Sequence, residues 1–296
     1  MLLKSHIFDN FSFKLILLSS VFCPFLSLIL NELVQNLLIF SGILSFGIIH
    51  GANDLLLLKI NINNNDSIIS LLIPYLIMVI SSGIFFYFTP SLALIFFVLF
   101  SSYHFGEHQW TIFIDKKEKK LELFYFIYGL FLFSLLFWLN NTEVGEIIFD
   151  ITGLNIVLKF YDYLLYFSTG GLLLLSFLNF RYLSDQFIVQ SFLLILLSII
   201  FYNSSLILSF GIYFVFWHSI PSIIEQSQYI YGSNNMTSFL NYFKSSFLYW
   251  TISIIGLLLM YYFLKDYQNL LISIFFSFLA AITFPHTLVI FKIKSN

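Results

Sequence analysis

Along this chain the hydrophobic positions recur with neither a helical nor a strand period; they run almost unbroken, and polar residues are confined to short gaps between them. Apolar runs of about 20 residues predict helices that cross a hydrocarbon core about 30 Å thick. Ten such segments stand between the gaps, at approximately 13–30, 33–58, 67–89, 91–106, 121–140, 163–180, 186–201, 204–220, 246–264 and 267–291. Thr89-Pro90 alone parts the third from the fourth, and Tyr202-Asn203-Ser204 the seventh from the eighth, so the expectation is eight to ten spans with ten favoured. The predicted fold is an all-α, polytopic transmembrane helical bundle, with residues 1–296 as a single integral-membrane domain. Lys4 and Lys14 before the run Leu15–Leu30 resemble the start of a signal peptide, but the length of the run and the lack of a small-residue cleavage site predict a retained first helix.

Composition excludes the soluble alternative. Only 9% of residues are charged against 59% hydrophobic, with mean hydropathy +0.93, whereas soluble domains carry roughly a quarter charged residues. A net charge of -2 without a basic stripe leaves no surface to neutralise phosphates, so nucleic acid is excluded as a partner. One cysteine, Cys23, excludes an intrachain disulfide. With the N-terminus inside, eleven of the 13 Lys and Arg residues fall in cytoplasmic segments, and only Lys159 and Lys265 fall outside. That asymmetry predicts both termini on the cytoplasmic side of a cell membrane, with the acidic stretch 141–162 as the longest outer loop and the Lys-rich stretch 115–120 as the strongest cytoplasmic marker. The 21% aromatic share has two readings, a π-rich lining for a long apolar ligand or a bias of composition.

Polar chemistry is scarce, which makes the histidines conspicuous. Apart from His6, all lie at or near membrane depth: His50, His104, His108, His218 and His286. In the ten-span topology His50, His104, His218 and His286 sit on even-numbered helices near one leaflet, the cytoplasmic one. A single intramembrane histidine is as readily a structural hydrogen-bond donor as a functional group, but several at one level point to a shared purpose. Imidazoles without thiolates suit iron, copper, zinc or nickel.

Local patterns sharpen this. In Gly47-Ile48-Ile49-His50-Gly51-Ala52-Asn53-Asp54, Asp54 shares a helical face with His50 and either accepts a hydrogen bond from its ring or reaches for the interface beside Lys59. In Tyr103-His104-Phe105-Gly106-Glu107-His108-Gln109-Trp110, His104 and His108 have the i, i+4 spacing of a chelating pair; alternatively Glu107, His108 and Gln109 mark a helix end, with Trp110 as an interfacial anchor. Pro221 is expected to break the helix just after His218-Ser219, and Pro285 to kink the helix that carries His286. There is no G-x-S-x-G nucleophile elbow and no glycine-rich phosphate loop.

Taken in order, these segments resemble the Brp/Blh family of integral-membrane β-carotene 15,15'-dioxygenases over nearly the whole chain. The family pattern G-x-P-H-G-A-x-D corresponds to Gly47 through Asp54 with Ile49 in place of proline; H-F-G corresponds to His104-Phe105-Gly106, H-S to His218-Ser219 and the terminal P-H to Pro285-His286. The resemblance implies a non-haem iron(II) site, Fe(2+), held by histidines, with β-carotene and O2 as substrates, the lipid bilayer as the source of the carotene, and retinal as the product, linking it functionally to retinal-binding rhodopsins. It carries over His50, His104 and His218 as ligands. The family's fourth ligand, the second histidine of H-S-x-x-H, is Ser222 here, and the acid of H-F-G-x-x-D is Gln109, with His108 one place earlier. His286 or His108 is then the candidate for the fourth nitrogen, the alternative being three protein ligands and a water. Asp54 and Glu107 are candidates to orient the ligands, and Tyr103, Phe105, Tyr213, Phe216 and Trp217 to line a substrate tunnel. Two other function classes fit parts of the pattern: a transporter or proton pathway built on histidines and acids, and a haem-binding electron carrier with axial histidines.

Overall fold

A long apolar segment buried in lipid can satisfy its backbone only within itself, so helix is the one solution open to this sequence short of a closed barrel. The computed structural model describes residues 10–61, 68–113, 118–233, 235–264 and 271–295, and among them there is no strand. Lys4, His6, Lys116, Lys117, Lys265 and the start of the tenth expected segment lie outside the described residues. The helices are α1 (Phe11–Ile29), α2 (Glu32–Asn61), α3 (Ile68–Phe88), α4 (Pro90–Thr111), α5 (Glu122–Leu139), α6 (Asn141–Thr152), α7 (Lys159–Leu178), α8 (Phe180–Asn203), α9 (Leu206–Tyr231), α10 (Met236–Leu264) and α11 (Leu271–Ser295). Among the described residues eight of these, all but α1, α4 and α6, are long and apolar enough to cross a membrane. The chain is an all-α membrane protein. Outward side chains such as Phe247, Leu248, Ile252, Ile255, Leu258 and Leu259 of α10 are exposed hydrocarbon, the surface expected against lipid and untenable in water at this extent.

Each of the ten expected segments falls on a helix, and the departures have local causes. Within the stretch expected as the long outer loop, Asn141–Thr152 forms α6, too short to span and carrying Glu143, Glu146 and Asp150. α10 begins ten residues before the expected start because Lys244, treated as a break, is tolerated with its side chain exposed. The break expected after His218 does not occur. Pro221 cannot donate a backbone hydrogen bond, and the helix absorbs this by widening into a π-helical stretch over Tyr213–Ser219 before continuing to Tyr231. A second π-helical stretch, Ile43–Gly47, precedes His50 in α2, and a turn at Asn53 separates His50 from Asp54. α11 remains helical through Pro285.

The chain divides into two compact units. One comprises the described parts of Met1–Ile43, Ser102–Val144 and Ile156–Pro221, the other those of Leu44–Ser101, Gly145–Asn155 and Ser222–Asn296. In the first, α4 and α5 meet backbone to backbone through glycine. A Cβ added at Gly106 would stand 1.9 Å from the Tyr125 carbonyl oxygen, and one at Gly129 would stand 1.8 Å from that of Ser102. Small residues at helix contacts are the usual route to close approach where lipid removes the hydrophobic drive for association. Ser134 of α5 and Ser168 of α7 share a hydrogen bond of 2.6 Å between their hydroxyls. Glu143 caps the start of α9, its Oε2 accepting from the Leu206 N–H at 3.1 Å. In the second unit Leu57 and Leu58 of α2 pack on Val289 and Ile290 of α11, Ile49 packs with Ile223 and Tyr242, and Phe86 and Ala93 pack with Ala280.

The backbone contact makes Gly129 a sharp test of the packing. Gly129→Ala should lower the melting temperature of the detergent-solubilised protein by the equivalent of about 3 kcal/mol or abolish folding, since no flexible side chain is available to yield. Gly83→Ala, where an added Cβ meets nothing within 4 Å, should leave it unchanged.

Candidate metal centre

In the first unit α4 delivers His104 and His108 and the π-helical stretch of α9 delivers His218, all three buried. The Nε2 atoms of His104 and His218 lie 3.2 Å apart, with ring centroids separated by 4.8 Å at 78°. The ring of His108 stands 4.7 Å from that of His218. Aromatic side chains sheathe the group: Phe105 meets His218 edge-on at 4.6 Å and stacks on Phe133, while Phe214 stacks on His218 at an interplanar angle of 17°. Tyr213 packs against Phe105 and against Trp217, both of them buried. Phe216 and Tyr103 are half-buried.

The polar run after His104 lies inside the unit. Glu107 and Gln109 are each 1% exposed. Gln109 and Gln190 of α8 grip each other, Gln109 Nε2 donating to Gln190 Oε1 at 3.1 Å and Gln190 Nε2 donating to the Gln109 carbonyl at 2.7 Å. Trp110 is buried against Phe124 and Tyr128, so it is a packing residue and the interfacial anchor reading is overturned. α4 does end at Thr111, so Glu107, His108 and Gln109 stand at its last turns as expected, but buried.

In the second unit His50 and His286 are neighbours, with ring centroids 4.6 Å apart at 82°. His50 Nδ1 donates to the carbonyl of Gly47, the last residue of the π-helical stretch. Asp54 does not occupy the expected place beside His50, because the turn at Asn53 interrupts the helical face that i, i+4 spacing presumes. Its Oδ1 instead accepts from His286 Nδ1 at 2.8 Å and its Oδ2 accepts from the Tyr75 hydroxyl at 2.9 Å. At 1% exposure it is not reaching for an interface beside Lys59. Ser222, where the resemblance expects a histidine, accepts from Gln226 Nε2 at 2.9 Å. The hydroxyl of Tyr242 lies 2.7 Å from Gln226 Oε1 and 3.0 Å from the His50 carbonyl oxygen.

The donor set suits a metal. Two nitrogens bound to one ion at about 2.1 Å in cis or tetrahedral positions stand roughly 3.0–3.4 Å apart, and the 3.2 Å between the Nε2 atoms of His104 and His218 lies in that range. All donors are imidazoles, and Cys23 lies half-buried on α1, so an ion held here would be one that takes nitrogen ligands, such as iron, copper, zinc or nickel.

Comparison with known proteins gives the chain a family. The family model for β-carotene 15,15'-dioxygenase matches residues 41–294. The chain belongs to that family. No curated protein and no solved structure matches it. The match takes in all five buried histidines of this dioxygenase-family chain, and with them the residues the motif reading missed. Tyr75, Gln226 and Tyr242 carry no local signal, since their partners are distant in sequence; Gly129 resembles any membrane-helix glycine; and Phe214 is one phenylalanine among 40.

Tyr242→Phe keeps the ring but removes the hydroxyl shared by Gln226 and the His50 carbonyl. It should cost about 1–2 kcal/mol of stability, measured as a lowered midpoint in thermal unfolding of the solubilised protein.

Proposed function

We propose that this chain carries out iron(II)-dependent oxidative cleavage of the central 15,15' double bond of β-carotene with O2, giving two molecules of all-trans-retinal. The observation that carries the reading is the pair of buried imidazoles, His104 and His218, with Nε2 atoms 3.2 Å apart in a member of the β-carotene dioxygenase family. His50, His104 and His218, each buried, are the proposed ligands, with a fourth nitrogen from His286 or His108. Asp54 and Glu107 serve to orient them. The family match favours this over the transporter and haem-carrier readings.

When bound, iron(II) supplies the redox chemistry with O2 that no amino-acid side chain has. The reaction balances without a further reductant: one carbon–carbon double bond is broken, and each of its carbons leaves as an aldehyde holding one oxygen atom of O2. What the chain contributes is binding, position and dryness. β-Carotene is a hydrocarbon about as long as the bilayer core is thick, so it enters from lipid between helices and requires apolar contacts along its length. Phe105 and Tyr213 are buried beside the histidines, with Tyr103, Phe216 and Trp217 near them in sequence, and these aromatics set which double bond faces the metal. The proposed setting is a multi-pass cell-membrane protein with both termini cytoplasmic and the metal near the cytoplasmic leaflet, its retinal passing to retinal-binding rhodopsins.

The test is chromatography of retinoids from a β-carotene-accumulating bacterial host that expresses the chain. The wild type should form retinal, and His104→Ala or His218→Ala should reduce it at least about a hundredfold, the size expected when a residue of a concerted centre is lost. Folded, membrane-inserted wild-type protein that forms no retinal, or a His104→Ala variant that keeps full activity, would contradict the reading.

A further inference from the structure

The place of the missing family histidine is already committed. Ser222 is buried and bound to Gln226, and Gln226 is tied through the Tyr242 hydroxyl to the backbone of His50. That chain of hydrogen bonds holds His50 in place and provides no fourth nitrogen. Another imidazole in the same unit has what a ligand histidine is normally given. His286 is 2% exposed, its ring lies 4.6 Å from that of His50, and its Nδ1 donates to the buried carboxylate of Asp54 at 2.8 Å. Gly51 backs the ring, so that a Cβ there would lie 3.5 Å from Nδ1.

An acid buried within a membrane helix bundle is costly, and a purely structural histidine does not require one, since a backbone carbonyl would serve. Here the carboxylate is itself held, its second oxygen accepting from the Tyr75 hydroxyl at 2.9 Å. A carboxylate on Nδ1 fixes the tautomer with the proton on that nitrogen, leaves the lone pair on Nε2, and makes Nε2 the stronger donor to a metal. We propose that His286 binds the metal alongside His50, with Asp54 as its positioning residue and Tyr75 as the group that holds Asp54. The inference rests on the reading that His50 is a ligand, and it assigns His108 to packing.

Cobalt(II) binding to the purified, detergent-solubilised full chain tests this without recourse to activity, through affinity measured by competition and through the ligand-field absorption spectrum. His286→Asn places an amide N–H where Nδ1 lies, which keeps Asp54 partnered while removing the ligand nitrogen. It should weaken cobalt binding about a hundredfold or more and change the spectrum. Asp54→Asn should weaken binding by about 10–100-fold, the range seen when a ligand's outer partner is lost, and Tyr75→Phe by less. Wild-type affinity and spectrum in His286→Asn while His104→Ala loses the metal would overturn this assignment alone. Full retention in His104→Ala would instead remove the centre on which it rests. Loss in His108→Ala with retention in His286→Asn would transfer the role to His108.

Discussion

Inside a hydrocarbon slab no water is available to satisfy a polar group, so each buried imidazole, amide and carboxylate must be matched by the protein itself. That constraint organises this molecule. With 9% charged residues, the chain places the few polar side chains at membrane depth in buried networks: His104 with His218, Gln109 with Gln190, Asp54 with His286 and Tyr75, and Ser222 with Gln226 and Tyr242. Everything outward on a helix such as α10 is then free to be hydrocarbon. The same constraint bears on the candidate metal centre, where the Nε2 atoms of His104 and His218 lie 3.2 Å apart in a dry interior.

Backbone irregularity is concentrated at the histidines. The π-helical stretch Ile43–Gly47 ends three residues before His50, and the one over Tyr213–Ser219 contains His218. Widening a helix by one residue per turn rotates every side chain beyond it and frees carbonyls, and the Gly47 carbonyl is used by His50 itself. Glycine does complementary work at the third position. Gly106, two residues after His104, and Gly129 opposite allow α4 and α5 to touch backbone to backbone.

Helical segments were legible in the sequence because hydrocarbon length and polar interruption are properties of consecutive residues. The segments near 67–89 and 91–106 are the separate helices α3 and α4, although only Thr89-Pro90 parts them. The eleventh helix, α6, was hidden because Glu143, Glu146 and Asp150 read as a loop when only spanning length is sought. Pro221 was read correctly as a disturbance and wrongly as a stop, since the sequence does not say whether a helix breaks or widens. At the histidine sites, composition and motif order picked out every imidazole that is buried, but not the partners. The i, i+4 spacing of His50 and Asp54 presumed an unbroken helix that the turn at Asn53 denies, and the bond from Asp54 to His286 joins residues 232 apart.

The central claim is that imidazole nitrogens, unaided by thiolate, hold an iron ion in this fold. X-ray absorption at the iron K-edge of the anaerobically loaded protein measures it most directly. The account predicts one iron per chain with a nitrogen and oxygen first shell, no sulfur scatterer, and the outer-shell multiple scattering characteristic of three or four imidazoles. Substoichiometric iron lacking that imidazole pattern, or a shell containing sulfur, would contradict it.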